Sequence, residues 1–180
     1  IGSSAIKVVE IKRKGGKAVL ETYGAIALGP YADLDVGRVT NLPVEKVALA
    51  LKEVLKQSDV TNTACALSIP VQSSLIFTIE LPAALKESEI DTIIPTEARK
   101  YIPVPTTEVS IDYFILPQKE PSFAELNTET NNADMPKDIA EKISVLVVAT
   151  QNDAVSRYRS IASECNLKAS FFEIETFSSV

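Results

Sequence analysis

The sequence predicts a mixed α/β protein of two units, one inserted into the other, on three observations. The chain opens with two β-rich runs, Ala5–Arg13 and Lys17–Leu28, then an amphipathic helix and a short strand of small apolar residues. From Val71 the rhythm changes to strand, helix, strand, strand and helix. A final apolar run, Ala169–Ile174, reads as a strand that returns to the first unit. The expected boundaries are therefore residues 1–70 and 169–180 for the outer unit and 71–168 for the insert.

The first turn is Ile1-Gly2-Ser3-Ser4, read as the end of a truncated strand followed by a tight turn. Gly2 tolerates a backbone bend and a close approach that a Cβ would hinder. The Ser3 and Ser4 hydroxyls, with the mobile ammonium of Lys7 beside them, suit an anion such as a phosphate. An ordinary Gly-Ser hairpin with a solvated lysine has the same residues, so the turn alone leaves both readings open. Lys14-Gly15-Gly16 is a hairpin signal between the two β-rich runs. With the strand ending at Ile1 they are expected to form a three-stranded antiparallel meander, closed by Gly29-Pro30.

Pro43 opens a predicted helix to about Gln57, in which Val44, Val47, Ala48, Leu51, Val54 and Leu55 share one face. Asn62–Ile69 is the strand that follows, ended by Pro70. Such an order of strands and crossover helix is the opening of an RNase H-like sheet. In the insert, Leu75, Phe77, Ile79 and Leu81 alternate with polar residues as a half-buried strand. Ser88 and Asp91 are a candidate capping box for a helix burying Ile90, Ile93, Ile94, Ala98 and Tyr101. Pro95 falls within that helix and is expected to kink or divide it.

Val109–Leu116 and Ile143–Thr150 are the next strands, the second so uniformly apolar that it should be central. Between them Lys119–Glu141 carries two basic and six acidic residues and reads as an exposed, partly disordered loop. Asn152 should cap a helix whose Val155, Tyr158, Ile161, Ala162 and Cys165 line one face. Asn166 fits the left-handed position after it.

Composition narrows the chemistry. The 180 residues are 46% hydrophobic and 23% charged, a profile of soluble globular proteins with a core. A net charge of −6 argues against nucleic acid or an anionic membrane surface as the main partner. The chain contains no histidine, so it holds no Ser-His-Asp or Cys-His nucleophile, and a zinc site is not expected. Cys65 and Cys165 sit in apolar patterns and read as buried thiols in a reducing compartment rather than as a disulfide. No apolar run approaches the length of a membrane span, no signal peptide is visible, and without an initiator Met the sequence reads as a fragment or a processed chain.

Ile1-Gly2-Ser3-Ser4 with Lys7 resembles the first phosphate loop of actin-like ATPases, where an Asp just before the loop helps place the metal ion. This chain starts one residue too late to show it. The more discriminating block is Thr96-Glu97-Ala98-Arg99-Lys100-Tyr101-Ile102-Pro103-Val104-Pro105, then Glu108-Val109 and Asp112, together with Ile79-Glu80-Leu81-Pro82. It resembles the PilM family, the actin-like ATPases of type IV pilus assembly, in which a helix ends in a Tyr-Ile-Pro-Phe-Pro run. The likeness extends from Ile1 to about Phe177. Val104 stands where the family usually has Phe, Pro95 falls in a helix normally left unbroken, and Lys119–Glu141 is longer than the usual connection.

That resemblance implies an RNase H-like subdomain 1A with an inserted strand-helix-strand-strand (SHS2-type) subdomain 1C, truncated before subdomains 2A and 2B. It implies ATP and Mg as ligands of the full-length protein, with Gly2, Ser3, Ser4 and Lys7 on the phosphates. Hydrolysis would be weak at most, and absent from this stretch alone, with no catalytic residue or metal ligand supplied by it. The implied partner is the N-terminal cytoplasmic tail of PilN, an Ile-Asn-Leu-Leu-Pro-like segment bound in a groove between the two N-terminal subdomains. Tyr101, Ile102 and Val104 are the candidate contacts, although the same residues also read as a rigid helix-to-strand connector. The location implied is cytoplasmic, peripheral to the inner membrane through the pilus inner-membrane subcomplex and without direct membrane insertion. The alternatives on this fold are an FtsA-type cell-division filament protein and a small-molecule kinase.

Overall fold

The computed structural model describes residues 1–117 and 142–177. The expected loop at 119–141 lies outside them. The chain divides into two compact units, residues 1–74 with 151–180, and residues 75–150.

In the first unit β1 (Ala5–Lys14) and β2 (Lys17–Ala27) form an antiparallel ribbon. The turn between them is two residues long because Gly15 and Gly16 take φ of +57° and +79°, the left-handed pair that matches strand twist. The register slips between Glu10 and Ile11, where Glu21 is the extra residue of a bulge. The expected meander of three strands is corrected to this pair, since residues 1–4 form no strand.

Helix α1 (Val44–Gln57) packs in the core of the first unit through Val47, Ala50, Leu51 and Val54. Pro43 is its N-cap rather than its first helical residue, and its carbonyl accepts the Val47 N–H at 3.2 Å. Gly24 of β2 sits beneath the end of the helix. A Cβ there would lie 1.9 Å from Ser58 Oγ and 3.0 Å from Val54 Cγ2. Strand β3 (Ala64–Ile69) follows, and its hydrogen-bonded neighbour is the last strand, β7 (Lys168–Ile174), in parallel.

Helix α3 (Asn152–Glu164) buries Tyr158, Ile161 and Ala162 in the same core as α1, beside Ile6, Leu28 and Ile69. It therefore belongs with the first unit, and the insert ends at Thr150 rather than at 168. Its N-cap is Gln151, one residue earlier than the expected Asn152. At its other end Asn166 takes φ +55°. The N–H groups of Asn166 and Leu167 donate to Ser163 and Ala162 carbonyls at 3.0 and 2.9 Å, closing the helix in a Schellman motif.

The second unit is a three-stranded sheet in the order β4 (Ser74–Pro82), β6 (Lys142–Gln151), β5 (Val109–Ile115). The apolar β6 is central, and its Val145, Val147 and Ala149 meet Ile90, Ile94 and Ala98 of α2 (Glu87–Ala98) in the core. The α2 cap is corrected from Ser88 to Lys86, whose N–H donates to the Glu89 carboxylate at 2.8 Å. Asp91 instead accepts the Tyr113 hydroxyl of β5 at 2.6 Å. The helix runs unbroken through Pro95. That proline lies in the last turn, so only the bond to the Asp91 carbonyl is forgone.

Replacing Gly24 by Val should push Val54 and Ser58 away from the ribbon and destabilise the first unit by about 2 kcal/mol, as for overpacked cores. Chemical denaturation would show it as a lowered midpoint at unchanged slope; an unaltered midpoint would mean that α1 has room to move.

Candidate functional site

Gly2, Ser3 and Ser4, expected on the phosphates, form a turn at the start of the first unit. The Gly2 N–H donates to the Ala5 carbonyl at 3.0 Å, bracketing Ser3 and Ser4 as a two-residue turn. A Cβ on Gly2 would lie 3.1 Å from that carbonyl oxygen, a tight fit that glycine relieves. The Ser3 carbonyl accepts both the N–H and the hydroxyl of Thr40, at 2.8 and 2.9 Å, and the Ser4 carbonyl accepts the Leu28 N–H at 2.8 Å. Carbonyl dipoles that would repel an anion are thus tied into the protein. Thr40, in the polar link after β2, was not singled out by the sequence, because nothing local marks its reach across 37 positions.

Gly2 and Ser3 are exposed and Ser4 half-buried, while Lys7 stands exposed on β1 opposite Ala25. Lys7 makes no ion pair among the described residues. The donors present, two hydroxyls and one ammonium, fit a phosphate. Among the described residues no three His, Cys, Asp or Glu side chains cluster. The Gly2 amide is spent within the turn, so of the expected donors it alone is committed.

Neither cysteine, Cys65 or Cys165, is an activated nucleophile. Burial pushes the Cys65 thiol up from its ordinary value, and does the same to Cys165, where nearby Lys52 only opposes it in part. An activated thiol is shifted the other way. Cys165 instead donates to the Ala48 carbonyl at 3.4 Å between the two helices. The buried carboxylate of the unit, Glu10, accepts the N–H and hydroxyl of Thr61 at 3.0 and 3.1 Å and is thereby a structural clip between β1 and the approach to β3.

The second candidate set lies in the connector after α2. The Tyr101 and Ile102 N–H groups both donate to the Ala98 carbonyl, at 2.9 and 3.1 Å, ending the helix. The three side chains then diverge. Ile102 is 8% exposed within the core of the second unit. Tyr101, expected on the buried face of the helix, is corrected to the surface at 53% exposure, where its ring stacks on Phe77 with centroids 4.9 Å apart. The cause is that α2 stops at Ala98, so Tyr101 leaves the helical face. Val104 is half-buried against the same core, and Pro105 leads into a short helical turn over Thr106–Glu108.

A family model described as "Type IV pilus assembly protein PilM" matches residues 1–180. Among solved structures, the chain is similar to one described as a PilM-PilN type IV pilus biogenesis complex, at 22% identity and a TM-score of 0.73. The match covers 99% of this chain and 46% of that one. A second likeness, at 8% identity and a TM-score of 0.52, is to the cytoplasmic domain of EpsL, an inner-membrane component of the type II secretion system of Vibrio cholerae. It covers 96% of this chain and 52% of that domain. The chain therefore spans about half the length of each, and the likenesses establish a shared fold. No described helix is long and apolar enough to cross a membrane.

The split within the connector is measurable. Ile102→Ala should cost about 3 kcal/mol, as a buried aliphatic truncation does, whereas Tyr101→Ala should forgo only the ring stack, about 1 kcal/mol. Denaturation of the two variants side by side reads both; equal losses would return Tyr101 to the core.

Proposed function

Because the chain belongs to the PilM family of type IV pilus assembly proteins, we propose that it is the N-terminal part of an actin-like, ATP-binding adaptor of the pilus machine. The observation that carries this reading is the family match over all of residues 1–180, which takes in both the Gly2–Ser4 turn and the Tyr101–Pro105 connector. In the finer form of the proposal the first unit is an RNase H-like subdomain 1A and the second an SHS2-type subdomain 1C. The strand, helix, strand, strand order of β4, α2, β5 and β6 supports that identification.

Ser3, Ser4 and Lys7 would hold nucleotide phosphates at the turn, with Gly2 shaping it. Bound nucleotide would bring Mg with it, since the turn offers hydroxyls and an ammonium but no carboxylate for the metal. Lys7 neutralises phosphate charge, and the hydroxyls orient the oxygens. With no histidine in the chain and both thiols shifted away from reactivity, these residues bind and position rather than attack. The role is accordingly that of a nucleotide-dependent adaptor with slow hydrolysis at most.

The partner proposed is the N-terminal cytoplasmic tail of PilN, by likeness to the complex of that name. Tyr101 offers an exposed aromatic face, and the prolines at 103 and 105 fix the backbone beneath it. Ile102 would act from within the core by holding its neighbours in place, and Val104 would add apolar surface beside it. A preformed surface of this kind loses little entropy on binding an extended peptide. The protein would thereby stay cytoplasmic and reach the inner membrane through its partner.

Two measurements test the reading. In the full-length protein Lys7→Ala should weaken Mg-ATP binding about tenfold, the effect of one charge-assisted contact, with an unchanged melting temperature. Unaltered affinity would leave Lys7 a surface cation. A labelled peptide of the Ile-Asn-Leu-Leu-Pro type, followed by fluorescence anisotropy, should bind with micromolar affinity. Replacing the peptide's leucines by Asp, or Tyr101 by Ala, should abolish or sharply weaken it. Failure of a folded protein to bind the peptide would favour the FtsA-type or kinase alternatives.

A further inference from the structure

The ribbon of the first unit overhangs its core. None of residues 11–21 belongs to that core, whereas Glu10 and Thr22, the pair just below, are tied to Thr61 and Ser58. From Glu10 to Lys14 the arms therefore project by four residues, about 13 Å at some 3.3 Å each. Residues 11–18 are all exposed. The primed turn at Gly15-Gly16 keeps the arms paired to the last rung, where Lys14 faces Lys17.

The charge on this overhang runs against that of the chain. Residues 12–17 hold four of the 18 Lys and Arg and none of the 24 Asp and Glu. Glu21 is the one acid on the arms, and it pairs with Lys12 at 2.8 Å and Lys14 at 3.9 Å. Arg13 and Lys17 form no ion pair among the described residues. Like charges directly opposite each other weaken a ribbon, so the Lys14–Lys17 rung is not there for stability. The Debye length at physiological salt is about 8 Å, shorter than the overhang, so the acidic remainder of the chain is screened from the tip. On the other face of the arms Ile11 and Leu20 form an exposed apolar pair, at 58% and 57%.

We propose that this hairpin tip is a peripheral contact for an anionic lipid surface. Three of the four cations are lysines, compact and strongly hydrated point charges on flexible stems. Such charges suit the diffuse field of many headgroups better than the fixed carboxylates of one protein partner. A projecting tip also reaches a flat surface that the rest of the unit need not touch. As it settles among the headgroups, Ile11 and Leu20 meet the interfacial layer behind them. The net charge of −6 keeps the contact from being the main tether, and the overhang is what permits it. The inference goes beyond the nucleotide and peptide readings and depends on neither.

Vesicle co-sedimentation tests it, on the protein without nucleotide or peptide. Vesicles of phosphatidylcholine with about one-third phosphatidylglycerol should bind it, pure phosphatidylcholine should not, and added salt should release it. Each cation near an anionic surface is worth about fivefold in binding. The triple variant Arg13→Gln, Lys14→Gln, Lys17→Gln should thus bind about 100-fold more weakly at an unchanged melting temperature. Lys17→Glu alone should lose about 25-fold while replacing the repulsion with Lys14 by attraction, so that loss cannot be one of folding. The exchange Arg13→Lys, Lys14→Arg, Lys17→Arg should leave binding within about twofold, because a lipid surface reads charge rather than fork geometry. Failure of the protein to bind the mixed vesicles would overturn the proposal, as would equal binding by the triple variant or equal binding to neutral vesicles. Capture of poly-glutamate without vesicle binding would overturn it too, and would give the tip to an acidic protein segment.

Discussion

The parallel ladder between β3 and β7 is the constraint on which the first unit depends. It joins residues about a hundred positions apart and is tied at both ends, by the Lys168 N–H on the Thr63 carbonyl and the Glu175 N–H on the Ile69 carbonyl. A parallel pair cannot be closed by a short turn and needs a crossover with its own packing. Here α3 supplies that crossover, with Ile161 and Ala162 against α1, and Asn166 turning the chain from helix to strand. Everything between β4 and β6 is consequently free to be a unit with a core of its own, as the separate cluster around Val145, Val147 and Ile94 confirms.

Much of this was legible in the sequence where one residue carries the physical reason. Gly15-Gly16 reads as a primed turn because only glycine takes two successive left-handed residues cheaply. Asn166 reads as a left-handed helix stop because asparagine tolerates that region best after glycine. The spacing in α1 and the unbroken apolar run in β6 likewise specify their neighbours. What was not legible depended on competition between near-equal local choices or on distant partners. Ser88 is a good cap by type, yet Lys86 with Glu89 supplies the reciprocal bond two residues earlier. Tyr101 fits the helical period of Ile90 and Ile94, but the helix has ended by then.

The insert boundary was misplaced for a related reason. An amphipathic helix announces that it has a buried face, not which core receives it. Val155, Tyr158 and Ile161 would serve either unit, and only their packing with Leu51 and Val54 decides the matter. For the candidate site, the tight turn at Gly2 was readable, but Thr40 was not. Its two bonds to the Ser3 carbonyl are what keep that oxygen from facing an anion.

The two candidate sets differ in what they ask of the fold. In a phosphate site at Ser3, Ser4 and Lys7, Ser3 and Lys7 would be exposed, so water and salt would screen its one cation and its contacts alone would be weak. Strong binding there requires further walls to exclude solvent. The Tyr101 surface needs no such completion: its ring is already placed by Phe77, and the backbone below is fixed by proline and by the buried Ile102. A net charge of −6 also disfavours gathering anions without a dedicated pocket, whereas it does not oppose an apolar peptide. Within these 180 residues, the proposed protein contact would therefore need less completion than the proposed phosphate site. That ordering is what the proposed adaptor would require, since its partner surface would have to persist whether or not nucleotide is bound.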